Sequence, residues 1–363
     1  MSLPVTLQQT YGDMGAQLAP DGIPLHFGDQ KAEYIAGIEA GILLDRSHEG
    51  RLSLTGESRF DILNRISTNE ILNMQSGEGR ATIFTNANGR ILDRVVAVNR
   101  TDESLLVLTE PGRGGVIRDY LQRNIFFNDN AVITDLQPET HQFALHGPAA
   151  DMVMTALSAD ADDCDVFHEI ALDIAGKPVY AVRHKPLSHA HWKIIVSKVD
   201  ALNVWQHLLK IGKPYGLKPS GGLVYNALRI RSGVPAVGHE LTQEYIPLEV
   251  GLWDEISFSK GCYTGQEIIA RMESRERQAR TVVSLKLHQQ ANVPADLFVD
   301  GKKAGRMTSS VVTPTGEIFG IGVLKLDYAM PDHEVNISAP DGPTATIGEL
   351  LGEQPPYILK DKS

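Results

Sequence analysis

Two spacings of apolar residues alternate along the chain, and each change of spacing marks the end of an element. Ile117, Tyr120, Leu121 and Ile125 fall at helical spacing within residues 112–126, as do Phe60, Leu63 and Ile66 within 57–66. Helices are also expected over 31–41, from Pro148 to 157, over 201–210 with Asp200 as cap, and over 222–232. Short apolar runs predict strands at 42–45, 50–54, 81–84, 91–98, 104–109, 131–135, 142–146, 170–174, 179–182 and 192–196. Asn88-Gly89 separates two of these runs. Both residue types tolerate positive φ, so a tight hairpin turn is expected there. Residues 1–30, rich in Gly, Pro and Asp, are expected to lie as an arm over the surface. From 280 onward the strands are short and broken by Gly301, Gly305, Pro314, Gly316, Gly320 and Gly322, which predicts a small barrel of about 80 residues. The residues from 354 are expected to be loose.

Strands 81–84, 91–98 and 104–109, a helix and a returning strand make one α+β unit. The stretch 142–232 roughly repeats that element order without repeating its residues. The fold class is therefore α+β with a C-terminal barrel. At 363 residues, 42% hydrophobic and 22% charged, the chain has the balance of a globular protein with two or three domains. A formal charge of -11 argues against broad nucleic-acid binding. Its two cysteines, Cys164 and Cys262, form no CxxC or zinc-ligand spacing, which fits a reducing, cytoplasmic setting. Residues 1–10 lack a basic segment followed by an apolar core, so no signal peptide is expected, and no apolar run is long enough to span a membrane.

The densest chemistry lies in Lys260-Gly261-Cys262-Tyr263-Thr264-Gly265-Gln266-Glu267. Thr264 and Glu267 have the spacing of a capping box, which predicts Thr264 as the N-cap of a helix. Cys262 would then sit before a helix N-terminus with Lys260 near it, and both features favour a thiolate. The other reading of Cys262 is a small buried hydrophobe. Asp13, Asp45, Asp93, Glu240, Glu244 and Glu249 are further candidate carboxylates. Asp93 follows an apolar pair just past the hairpin turn, where it points into a cleft or lies on a solvated edge. His184, His189 and His191 lack the spacing of a metal site, so no metal is expected. Gly112-Arg113-Gly114-Gly115 lacks the Gly-Lys-Ser/Thr ending of a phosphate loop. Arg229 and Arg231, two apart on one helix, face different ways.

The octet resembles the signature of the folate-binding YgfZ family, which is related to the glycine-cleavage T-protein, the aminomethyltransferase. The stretch 228–233, Gly238-His239-Glu240-Leu241 and Ile246-Pro247-Leu248-Glu249 resemble the central block of that superfamily. Residues 305–310, followed by Pro314, resemble its C-terminal signature, and 86–93 its folate-contacting hairpin. The resemblance implies a three-domain ring around tetrahydrofolate. Residues 1–52 with 142–272 would form a discontinuous folate-binding domain, 53–141 an inserted one and 278–353 the barrel. It implies folate contacts from Arg229, Glu249, Asp93 and Arg94, with Tyr263, Gln266 and Glu267 in the same site. Cys262 would be the working thiolate and Lys260 its tuning cation.

Departures from T-proteins accompany the matches. The Asp-Asp pair ending their hairpin reads Asp93-Arg94 here, and their tyrosine thirteen positions before that second residue reads Ala81. Their Gly-Glu-x-Gly segment is replaced by Leu187-Ser188-His189-Ala190-His191, and a glutamate two residues after Arg229 by Arg231. A guanidinium does not deprotonate in proteins, so Arg94 cannot act as the base a carboxylate supplies. The resemblance therefore implies an accessory protein for iron–sulfur cluster assembly or repair, associated with tRNA-modifying enzymes. Its partners would be iron–sulfur enzymes or their assembly factors, with no nucleic acid or membrane. A tetrahydrofolate-dependent aminomethyltransferase or demethylase is the rival reading, and a scaffold that has lost its ligand is the third.

Overall fold

The computed structural model describes residues 6–360. The ends of the expected arm and tail, 1–5 and 361–363, lie outside the described residues, as does the start of the stretch read for a signal peptide. Three larger sheets organise the chain, and a short two-stranded one joins Gln17–Leu18 to Pro24–His26. In spatial order the six-stranded sheet runs Glu169–Asp173, Pro178–Arg183, Ala190–Ser197, Thr140–Gly147, Gly41–Asp45 and Leu217–Ser220. Its last pair is parallel and the others antiparallel. The five-stranded sheet has the order Gly79–Thr85, Ile91–Asn99, Leu105–Pro111, Glu49–Thr55 and Val132–Asp135. The strands Arg280–Leu287, Ile318–Lys325, Lys302–Val312, Ala295–Val299, Glu334–Ile337 and Thr344–Leu350 close into a barrel. This is the expected α+β class with its C-terminal barrel.

The contacts divide the chain into two compact units. The first comprises Met1–Phe60, Asn73–Arg80 and Val96–Leu228, and the second Asp61–Leu72, Ala81–Val95 and Arg229–Ser363. We keep the three-part division, with 53–141 inserted between 1–52 and 142–272 and with the barrel at 278–353, as a proposal. In the first unit the six-stranded sheet packs one face on the helices Ala149–Leu157 and Ala201–Gly212. Phe143, Leu145, Trp192, Ile194 and Val196 point into that core, because successive side chains on a strand alternate faces. The residues between them, Gln142, His146, His191 and Lys193, are buried as well.

Several elements differ from the sequence reading. The arm is in part a helix, Leu7–Asp13, opened by a reciprocal capping box between Thr6 and Gln9. Its Tyr11 is fully buried against Phe27 and Trp205. Two helical turns carrying one aromatic are too short to show periodicity. The strand Leu217–Ser220 was not expected, because Lys218-Pro219 interrupts its apolar pattern; it is an edge strand, where proline is tolerated. In the hairpin only Gly89 has positive φ, at 68°. Asn86 Oδ1 accepts the amides of Asn88 and Arg90, making a longer loop than the expected tight turn. Asp200 is the N-cap residue of its helix, as expected, but makes no side-chain cap bond; its carboxylate pairs with Lys177 at 2.8 Å. The tail is ordered through the helix Pro356–Lys360, with Gln354 bonded to Thr281 Oγ1 and Ile358 buried.

In the second unit Val282, Ile321 and Val323 of the barrel pack with Ile83 and Ile91 of the hairpin and with Ile230, Tyr245 and Val250. The hairpin strands thus share a core with the barrel, while Tyr263 of the octet packs in a separate cluster with Ile246, Leu248, Ile256 and Ile269.

Candidate functional site: the octet loop and a buried polar face

The helix after the octet starts later than its sequence spacing implies. It spans Gln266–Ser274, and Gly265 is its N-cap, with φ at 85° and no side-chain cap bond. This corrects the capping-box reading of Thr264 and Glu267. The Thr264 carbonyl accepts from Thr85 Oγ1, while Glu267 reaches forward to Arg271 on an exposed face. Glu273 and Arg277, also four apart, do not form a matching pair, because the helix ends before Arg277. A Cβ on Gly265 would lie 2.5 Å from the Asn86 carbonyl oxygen and 2.9 Å from Gly89 Cα, so only glycine lets the loop sit this close to the hairpin.

Lys260 is an anchor. Its ammonium donates to the carbonyls of Asn64 at 2.6 Å, Ser67 at 2.9 Å and Asn69 at 2.6 Å. Burial pushes its pKa down to about 8, although three carbonyl dipoles favour the charged form. The Lys260 ammonium also sits 5.5 Å from the Tyr263 ring centroid. Tyr263 is itself a core residue, packed with Ile246, Leu248, Ile256 and Ile269, and burial raises its phenol pKa. Gln266 Nε2 approaches the carbonyls of Lys260 and Gly261 at 3.4 and 3.5 Å. Cys262 is exposed, which rules out the buried-hydrophobe reading of that thiol.

Arg94, Arg229 and Glu249 lie in internal ion pairs. Arg94 makes a two-pronged pair with Glu255, Nε to Oε2 at 2.8 Å and Nη2 to Oε1 at 2.7 Å. Asp93 is buried, and its Oδ1 accepts the amide of Arg94. Glu249 accepts from Arg280 at 2.9 and 3.0 Å, from Arg90 at 3.3 Å and from the Ile246 amide. Arg229 pairs with Glu240 at 3.4 Å and donates to Ser309 Oγ and the Val234 carbonyl. Glu240 also accepts from Thr308 and Ser309. Arg231 lies over Phe319 on the exposed side, as the helical spacing implied. Glu255, the partner of Arg94, was not singled out in the sequence, because the pair is 161 positions apart.

The first unit carries a constellation that the sequence hid more fully. On the second face of the six-stranded sheet, Glu49 accepts from Lys193 at 2.8 Å, Arg46 at 2.7 Å and Gln142 at 2.6 Å. Burial alone would raise the Glu49 pKa; Lys193 and Arg46 outweigh it and hold the carboxyl far below the usual range. Beside it the imidazoles of His146 and His191 stack with centroids 3.9 Å apart, and His184 follows at 4.7 Å from His191. Burial, helped by Lys193, pushes His191 down to about 3; burial and neighbouring groups also depress His146, so both rings are neutral. Both nitrogens of His146, and the Oε1 of Gln142, are buried without a hydrogen-bond partner. Such orphans are rare and mark a place for water or a ligand. Among the described residues, no group of three His, Cys, Asp or Glu side chains is arranged to hold a metal ion.

With this geometry in place, comparison with known proteins decides the family. The GCVT N-terminal domain family matches residues 17–260, more than half of the chain. The chain belongs to the glycine-cleavage T-protein superfamily. An aminomethyltransferase of Streptomyces avermitilis is 27% identical over 360 residues, covering 97% of this chain and 93% of its own. A chloroplastic protein of Arabidopsis thaliana named as a transferase is 29% identical over 352 residues, covering 95% and 78%. The solved aminomethyltransferase T of Bartonella henselae has a TM-score of 0.80 over 95% of this chain and 97% of its own; at 18% identity this shows the shared fold. No helix among the described residues is long and apolar enough to cross a membrane. In this T-protein superfamily member the structure brings Lys260, Tyr263 and Gln266 together. It holds Arg94, Arg229 and Glu249 in three separate ion pairs.

Proposed function

We propose that the protein binds tetrahydrofolate and transfers a one-carbon unit on it, a reaction of the aminomethyltransferase or demethylase class. The support is the match to the Streptomyces avermitilis aminomethyltransferase, which runs almost end to end in both chains. Bound tetrahydrofolate would supply the nitrogen that accepts and carries the one-carbon unit. The polar face of the first unit fits a pterin in kind. A carboxylate, Glu49, suits the N–H edge of such a ring, and His146 and Gln142 offer buried polar atoms that lack partners. The resemblance alone points instead to a folate site within the second unit, framed by Asp93, Arg94, Arg229 and Glu249 with the octet, in a cytoplasmic protein.

A specific observation favours a second reading. Arg94, where T-proteins carry a carboxylate by the resemblance, is locked to Glu255 and cannot take a proton. That favours a folate-binding accessory protein of the YgfZ type, acting on iron–sulfur enzymes, with the exposed Cys262 as its reactive group. Two measurements separate the readings. Tetrahydrofolate should raise the melting temperature of the purified protein, since a ligand of the native state stabilises it by mass action. Incubation with an aminomethylated carrier or a methylated amine should then load the folate with a one-carbon unit. Stabilisation without loading transfers support to the accessory reading, and absence of stabilisation refutes both.

A further inference from the structure

The first unit contains a cavity of about 840 Å³, one of whose wall residues, His48, adjoins Glu49 in the chain. Sites for small organic molecules run from about 300 to 1,000 Å³. Its floor is a hydrogen-bonded trio. Asp45 Oδ2 accepts from the Tyr11 hydroxyl at 2.9 Å and lies 2.9 Å from His141 Nε2, while Oδ1 accepts the Ser47 amide at 2.9 Å. Burial would raise the Asp45 pKa, but His141 and Ser47 lower it on balance, so it is ionised. With Nε2 held by Asp45, Nδ1 is the His141 nitrogen left for a ligand. His48, also on the wall, has a buried Nδ1 without a hydrogen-bond partner.

The remaining wall has two characters. Leu7, Ile23, Pro138 and Leu202 give it an apolar stretch. Asp21 and Asp135 each bond a nearby amide, Ile23 and Gln137 respectively, through Oδ1, which leaves Oδ2 on each. Lys198 is the one ammonium or guanidinium among the residues lining the cavity. Three carboxylates, Asp21, Asp45 and Asp135, therefore outnumber the single such cation. An anionic ligand would meet like charge from three sides, whereas a cation with an apolar body satisfies both parts of the wall.

We propose that this cavity binds a small organic amine in its ammonium form. The ammonium lies toward Asp21 and Asp135, the carbon chain runs along Leu7, Pro138 and Leu202, and His141 stands at the floor. The site is independent of the folate reading. None of its residues belongs to the octet or to the Glu49 cluster.

The test titrates the full-length protein with hexylammonium chloride, and separately with sodium hexanoate, by calorimetry at low salt. Nitrogen NMR follows the His141 ring in parallel. Saturable one-to-one binding of the amine, with a shift at His141 and no binding of hexanoate, supports the proposal. Asp21→Asn with Asp135→Asn should weaken the amine at least about tenfold, and Leu202→Arg should abolish binding by placing a cation in the cavity. Both variants should melt with the wild type and keep the same response to tetrahydrofolate, which separates this test from that of the folate site. The proposal is overturned if hexanoate binds as well as the amine, if the folded double variant binds unchanged, if His141 does not respond, or if no saturation is reached by ~10 mM.

Discussion

Replacing Lys260 with methionine keeps the side-chain length and removes three donors. The carbonyls of Asn64 and Ser67 are buried at these contacts, while that of Asn69 is partly open to water. A buried acceptor left without a donor costs roughly 1–3 kcal/mol, so two cost about 2–6 kcal/mol; relief from burying an ammonium offsets part of this, giving about 2–4 kcal/mol net. For a chain of this size that predicts a fall in melting temperature of roughly 3–5 °C. The effect should also depend on pH. Lys260 titrates near 8 when folded, below its ordinary 10.5, so between those values the unfolded chain binds more protons. Stability from this group is then gained as pH rises through that window and lost as pH falls through 8, and the variant should lack the gain. Circular dichroism melts of both proteins from pH 7 to 10.5, with iodoacetamide alkylation of Cys262 alongside, check the argument. An anchor predicts lower stability and alkylation as fast as in the wild type or faster, as the loop loosens. A native melting temperature with slowed alkylation would refute the anchor and restore Lys260 as the cation that tunes the thiol.

Three other outcomes follow from the same geometry. Arg94→Ala withdraws a two-pronged partner from the buried Glu255 carboxylate and should cost about 3–5 kcal/mol in urea unfolding; Arg94→Lys should recover part of it. Gly265→Ala puts a Cβ 2.5 Å from the Asn86 carbonyl at a φ of 85°, and should cost roughly 1–3 kcal/mol, read as a lower melting temperature and faster alkylation of Cys262. Cys262→Ser changes an exposed side chain, so stability should stay within about 0.5 kcal/mol and stabilisation by tetrahydrofolate should persist; a loss of several degrees would show that the thiol packs.

What the sequence reveals here divides by range. The barrel, the hairpin strands and the helices over 59–66 and 201–212 are written in local periodicity, which a strand or helix must display to bury one face. The octet shows where local reading ends. Thr-x-x-Glu has the same spacing whether or not it caps a helix; the left-handed Gly265 and the Thr85 hydroxyl decide, and Thr85 is 179 positions away from Thr264. Lys260 reads as a cation beside a thiol because its three carbonyl partners are more than 190 positions distant. Gln142, His146, His191 and Lys193 alternate with apolar neighbours and so read as a solvated face. Alternation fixes which side chains share a face, whereas burial depends on what covers it, and Tyr225 lies over Arg46 and packs against His146. This bears directly on mechanism. Glu240, Glu249 and Glu255 are each engaged by arginine, and Glu49 by Arg46 and Lys193, so the oxygens of these four carboxylates are already taken up by cationic donors. Burial keeps the imidazoles of His146 and His191 neutral by making them weak bases, so that polar face offers uncharged hydrogen-bonding groups to a ligand rather than a proton acceptor tuned to neutral pH.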